Sequence, residues 1–533
     1  MKHLPRLFLF LLLPIAAAAQ VTVTADRITR AAVAEPGNWL THHGSYAGHR
    51  HSLLREITPA NITELKPAWV YQSREAGKWE CTPIVLDGVM YITERPNIVT
   101  ALDARTGRVI WTYRRPLPTD VPGCCGPVNR GLAILGDALF LTTFDAHVVC
   151  LDANTGRERW DVTVADYKTG HSMTAAPLAV KDKIIVGISG GEFGIRGFLD
   201  AYDPATGRQL WRLWTIPAPG EPHHDTWGPD GETWKKGGGA TWVTGTYDPE
   251  LNTVYWGTGN PAPDYNDDDR PGDNLYTNSV LAVDPDTGKL RWHFQYTPHD
   301  THDWDSNQVP MLIDTVIAGQ PRKLLVQANR NAFFYVLDRT NGRFITGRAF
   351  GKQTWAGGLD ANGRPVELPD TRPTPEGTLV YPGLEGIVNW PPPSYSPQTQ
   401  LFYVQAKENQ GQYFYKLKPN EEPGENYEGG GTRNVLGQEP RGMIKAIDPT
   451  TGEVRWEFSQ QSSSNCGVLT TTTGLLFSGT REGQFYALDA ADGKLLWRFT
   501  TGGAIHGGPV TFLVDGRQHV AVAAGQGLFV FAR

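Results

Sequence analysis

The chain has 533 residues with a formal net charge of −7, and this mildly acidic balance argues against nucleic acid as a partner. Seventeen Trp, 59 Gly and 39 Pro point to a turn-dense, all-β protein. A chain this long exceeds one ordinary core, so a single domain has to grow by repetition.

Residues 1–19 have the pattern of a secretory signal: Lys2 and Arg6, an apolar run from Leu7 to Leu13, and Ala17-Ala18-Ala19 before Gln20. The run is too short to span a bilayer, so no integral membrane segment is expected. Its removal takes away Lys2 and Arg6 and moves the net charge from −7 to −9. Export to a bacterial periplasm follows, with residues 20–533 as one domain.

From Lys66 onward the chain is organised by one hairpin. Ala101-Leu-Asp103 leads to Thr106-Gly107 and Trp111, and the pattern returns at Asp152 with Trp160, Asp203 with Trp211, Asp284 with Trp292, Asp448 with Trp456 and Asp489 with Trp497. A further copy, Val336-Leu-Asp338 with Asn341-Gly342, has Ile345 in place of the tryptophan. Asp can accept backbone N–H groups two residues on, and Gly supplies the positive φ of a bulged hairpin turn. Hairpins recurring at such a period indicate radially repeated sheets, a β-propeller. Lys66–Gln72 reads as a fourth strand without the preceding three, while the strand-like runs after Trp497 lack a fourth. We therefore expect eight blades, with the N-terminal strand completing the C-terminal sheet.

Between the hairpins lie the less ordinary stretches. Glu80 stands where the first blade begins, near the central channel, although a solvated Glu is the simpler reading. Gly123-Cys124-Cys125-Gly126 pairs two adjacent cysteines, which can bond only through a strained ring. Flanking glycines and export favour that vicinal disulfide, whereas a reducing compartment would leave two thiols; Arg130 follows as a two-pronged donor. Ser189-Gly190-Gly191-Glu192 lets backbone approach a ligand or simply links two strands. Gly237 to Trp242 ends a glycine run with a large flat ring, and Asn260 offers an amide oxygen suited to a hard cation. Asp300, Asp303 and Asp305 then crowd one loop; Asp303 and Asp305 share a side of an extended segment and repel unless a cation lies between them. A solvated acidic loop is the alternative. Five cysteines leave at least one unpaired, and no Cys-x-x-Cys-His is present to attach a haem.

Taken together, the repeat, the Cys124-Cys125 pair with Arg130, Gly191-Glu192, Trp242, Gly259-Asn260-Pro261 and the His299 to Asp303 loop resemble the pyrroloquinoline quinone (PQQ)-dependent alcohol dehydrogenases of the methanol and ethanol dehydrogenase group, from about Trp39 to Phe531. The resemblance implies a quinone sandwiched between Trp242 and a Cys124–Cys125 disulfide, its polar edge meeting Glu80, Arg130, Thr174, Gly190, Gly191, Arg330 and Asn389. It implies a metal held by Glu192, Asn260 and Asp303, with Asp303 as the general base. Asp305 matches the carboxylate that marks the lanthanide-dependent branch, so a lanthanide(III) is favoured over Ca²⁺. Ala240 stands where relatives often have Thr, which leaves one quinone hydrogen bond missing or moved to Thr241.

The implied reaction oxidises a primary alcohol to an aldehyde and passes electrons to a periplasmic cytochrome c; a homodimer is compatible with it. Two rivals stand beside this reading. One is a PQQ dehydrogenase for sugars or polyols. The other is a non-catalytic propeller scaffold of the cell envelope, which shares the hairpins but leaves the cysteine pair and the acidic loop without a purpose.

Overall fold

A computed structural model describes residues 22–228 and 231–533, and the expected signal segment, residues 1–19, lies outside the described residues. From Ile84 the chain folds into sheets of four short strands, each strand antiparallel to the next. The first runs Ile84–Leu86, Val89–Glu94, Ile98–Asp103 and Val109–Arg114. The same order recurs in sheets opening at Ala133, Leu178, Thr246, Met311, Ser394 and Leu469, the last of which gains a fifth, parallel strand, His51–Ser52. In the sheet opening at Ala133, every position of Ala138–Thr142 is buried, whereas Glu158–Thr163 alternates between exposed and half-buried. Inner strands are covered on both faces by neighbouring sheets and read as continuous apolar runs; outer strands meet water on one face. This layered, radial arrangement is an all-β propeller.

The last sheet takes Val510–Val514, Arg517–Ala524 and Gly527–Ala532 from the C-terminal end, and its fourth strand is Lys66–Gln72. Lys66 pairs with Ala532 and Gln72 with Gly527, around a bulge between Pro67 and Trp69. Pro67, which lacks an N–H, is tolerated because this strand lies at the sheet edge.

The repeated hairpin does what its residues dictate. In the copy at Asp203, Oδ1 accepts the N–H groups of Ala205 at 3.0 Å and Thr206 at 2.9 Å, and Gly207 turns the chain at φ +72°. The closing tryptophan then docks on the next sheet. Trp160 donates its indole N–H to the Pro204 carbonyl at 3.1 Å, and a Cβ on Gly207 would stand 2.9 Å from its ring. Trp69, Trp111 and Trp211 reach Ala104, Ala153 and Pro285 in the same way. Where Ile345 replaces the tryptophan, the next turn glycine, Gly452, faces Arg348 and Phe334 instead.

Three parts carry no repeat signal. Ala25–Ala34 is a helix whose N-cap, Thr24, accepts from the Arg27 N–H. The long stretches after Thr354 and Lys407 form two small added sheets, Ala356–Leu359 with Pro365–Glu367, and Thr378–Val380 with Gln412–Lys416 and Gly430–Asn434. Among the described residues, no helix is long and apolar enough to cross a membrane.

Candidate active site

Strand order decides where a site can form. In an antiparallel sheet, the segment entering the first strand and the turn between the second and third strands emerge at the same end. Glu80, Arg130, Thr174, Trp242, Asp303, Asp305 and Asn389 all lie in segments entering a first strand, and Gly190–Glu192, Asn260 and Arg330 all lie in turns between second and third strands. The expected site residues therefore share one end of the sheets.

On one side of this end, Arg130 is the organiser. It is buried, lies 2.8 Å from Glu80, donates to the Thr174 hydroxyl at 2.7 Å, and stands over the rings of Trp242 and Trp390 at 5.0 and 4.6 Å. The Thr174 hydroxyl also meets that of Ser189 at 3.1 Å. Gly190 adopts φ +114°, and a Cβ there would run into the Gly170 carbonyl, so only glycine fits. A Cβ at Gly191 would be in ordinary contact, 3.8 Å, with both Ala240 and the Asn260 amide oxygen, so this glycine brings the backbone beside Glu192 close to Asn260.

The acidic loop is anchored from behind by Asp300. Buried, it accepts the N–H of His302 at 2.9 Å and of Trp304 at 2.7 Å, while His302 stacks on Trp304 with ring centroids 4.3 Å apart. Trp304 in turn donates to Gly383 and His302 contacts the Thr371 carbonyl, so the added segments brace this loop. Asp305 is fixed on three sides: Arg330 at 2.6 Å, the Trp242 indole N–H at 3.1 Å and the Asn260 backbone N–H at 3.0 Å. Asp303 sits at φ +57°, half-buried, with Arg330 at 3.5 Å as its charged neighbour. Burial, opposed by Arg330 and reinforced by Asp305, Asp264 and Glu192, pushes its carboxyl well above the usual range. Burial and Asp305 raise Glu192 too. Asn389 holds Glu385 and its own neighbour Trp390, and Glu385 pairs with Lys407 at 2.6 Å, which drops its pKa to about 2.

One expectation fails, and one alternative is narrowed. Cys124 and Cys125 are free thiols on an exposed turn, not a disulfide. The two thiols act on each other, raising Cys124 and lowering Cys125, and a vicinal bond between them would impose a strained ring. Thr241 cannot supply the bond that Ala240 lacks. Its hydroxyl already donates to Phe198 at 2.6 Å and accepts from Ile188 at 2.8 Å, and it is buried.

The sequence also missed Asp264, which is 1 % exposed and makes no hydrogen bond through either carboxylate oxygen. Burial, Glu192, Glu428 and Asp305 all push its carboxyl up. As placed, no three His, Cys, Asp or Glu side chains among the described residues converge tightly enough to grip an ion, and the Arg330 guanidinium lies against Asp303 and Asp305. The donor set nonetheless suits a hard cation: it is all oxygen, and it carries more carboxylates than the guanidinium offsets. The flat faces at Trp242 and Trp390 and the Arg130 cation between them suit a planar polyanion such as PQQ.

The comparisons agree. A family model described as the β-propeller domain of glucose/ethanol/alcohol dehydrogenases, labelled PQQ, matches residues 39–348, and one described as outer membrane protein assembly factor BamB matches residues 440–532. The chain is 40 % identical over 537 residues to a quinohemoprotein alcohol dehydrogenase of Comamonas testosteroni, covering 96 % of this chain and 76 % of that one. It is 39 % identical over 547 residues to the quinoprotein alcohol dehydrogenase PedH of Pseudomonas putida, covering 96 % and 90 %. A solved europium-containing methanol dehydrogenase superposes with a TM-score of 0.90 at 33 % identity, covering 95 % of this chain and all of that one. The chain belongs to the PQQ-dependent alcohol dehydrogenases and is an enzyme of that class.

Proposed function

We propose that this enzyme works in the periplasm, oxidising a primary alcohol to an aldehyde with PQQ and one metal ion, a lanthanide in preference to Ca²⁺, and giving its electrons to a cytochrome c. We read the eight sheets as blades of one closed ring, with the site at the end where their first strands begin. The observation that carries the reading is Asp305: a second buried carboxylate beside Asp303, fixed by Arg330, Trp242 and Asn260. So much negative charge in a buried site calls for a highly charged cation.

Bound here, PQQ would supply the hydride acceptor for alcohol oxidation and the ion the Lewis acid that assists it. The chain does the rest. Arg130, with Glu80 and Thr174 locking its guanidinium, and Arg330 meet the polar edge of the quinone, while Trp242 and the Cys124–Cys125 turn flank its faces. Gly190, Gly191 and Asn389 shape the rim. Glu192, Asn260, Asp303 and Asp305 hold the ion. Asp303, less tightly held than Asp305, accepts the alcohol's hydroxyl proton.

The test is purification with PQQ and either La³⁺ or Ca²⁺, followed by a panel of primary alcohols, sugars and polyols with a dye acceptor. Primary alcohols should turn over fastest with La³⁺. Turnover confined to sugars or polyols overturns the substrate class, and turnover with Ca²⁺ alone overturns the metal.

A further inference from the structure

Asp264 is the least explained charged group in the molecule. Its backbone is held by Arg270, which is fully buried and donates to the carbonyls of Pro263 at 3.0 Å, Asp264 at 3.3 Å and Asp300 at 2.8 Å, and to the Asn274 side chain at 2.8 Å. None of these donors reaches the Asp264 carboxylate. Tyr265, next in the chain, is pinned by its N–H to the Glu428 carbonyl at 3.0 Å. The side chain is thus fixed in place, yet both of its oxygens lack a partner at 1 % exposure. Around it lie the carboxylates Glu192, Glu428, Asp303 and Asp305; the nearby Arg270 cation is spent on backbone carbonyls and Asn274, and the Asn260 amide leans toward it.

A buried carboxylate without a hydrogen bond is costly, and carboxylates around it add to that cost. Glu192, Asn260 and Asp305, the groups it faces, are the groups proposed above to hold the ion. Arg330 is taken up by Asp303 and Asp305, so Glu192 and Asp264 add negative charge that this guanidinium does not meet.

We propose that Asp264 is a further carboxylate of the ion site, set opposite the Asp303–Asp305 loop, and that it biases the site toward trivalent over divalent ions. This rests on the metal reading of the previous subsection. The attraction of an added carboxylate grows with the charge of the ion, so Asp264 strengthens the hold on a trivalent ion more than on a divalent one.

The experiment uses PQQ-loaded, metal-free protein titrated with Tb³⁺, read by sensitised luminescence, and separately with Ca²⁺, read by competition against Tb³⁺. D264N removes the charge and keeps the shape. It should weaken Tb³⁺ by about tenfold or more, close to 1.4 kcal/mol, and Ca²⁺ by clearly less. D264E should stay near wild type. In metal-free protein D264N should melt at or above the wild-type temperature, because it relieves the repulsion of the neighbouring carboxylates, and D264A serves if D264N does not fold. Wild-type Tb³⁺ affinity in D264N, or an equal loss for both ions, overturns the proposal alone. Wild type that binds no Tb³⁺ overturns the metal reading and this proposal with it.

Discussion

Asp203 on the outer turns and Asp264 at the site end are both aspartates in tight loops beside a proline, and their surroundings treat them in opposite ways. Against the burial of its turn, hydrogen bonds from Thr206 and Ala205 hold Asp203 below the usual carboxylate range. Asp264 has no donor and is pushed far above it. The outer turns repeat because each satisfies itself locally and fastens one sheet to the next; the loops at the other end leave charge unsatisfied and do not repeat. Fold stability and chemistry are therefore separated along each strand, and substitutions should affect one or the other.

The largest expected effect breaks chemistry alone. D303N should lower turnover by about a hundredfold to ten-thousandfold, since an amide cannot take the alcohol proton at neutral pH, while the PQQ absorbance of the purified protein stays at the wild-type level. Activity near wild type would assign the base elsewhere. Next, on the outer turns, W160A removes a ring that packs on Gly207 and the hydrogen bond to Pro204, and should cost about 3 kcal/mol in denaturant unfolding with kcat unchanged in the folded fraction.

D305A lies between these two kinds of change, because it deletes an anion that Arg330, Trp242 and Asn260 all hold. La³⁺-supported turnover should fall by about tenfold or more and Ca²⁺-supported turnover by less, compared in parallel titrations. Equal losses with both ions would assign Asp305 a purely structural role. The smallest effect sharpens the contrast by pH. D203A should cost about 1 kcal/mol at pH 7. Because the folded pKa of Asp203 is depressed, its contribution is present above the unfolded value of about 3.9 and fades as pH falls through the lower folded value, so mutant and wild type should converge in acid.

The separation also explains what could be read in advance. The Asp-to-Gly-to-Trp hairpin is a local pattern whose parts touch one another, so residues a few positions apart specify it. The site end was legible where glycine or paired carboxylates broke that pattern, as at Gly190–Glu192 and Asp303–Asp305. Asp264 was hidden because it opens a stretch with Asp267, Asp268 and Asp269 that reads as a solvated acidic run; only the fold shows that Arg270 draws the first of these inward. The choice left open at Ala240 and Thr241 needed the fold for the same reason, since the Thr241 partners Ile188 and Phe198 come from the end of the second strand and the start of the third in the preceding sheet.

The pairing of Lys66–Gln72 with Gly527–Ala532 has a consequence in time. A strand formed from the first part of the chain has no partner until the last part has been made and delivered, and the loop it closes spans nearly the whole sequence. Closing so long a loop is entropically costly and slow, so this seam should form last and open first. A chain threaded across a membrane before it folds would keep that seam unmade throughout the passage, and the ring would lock only after the final residues had crossed.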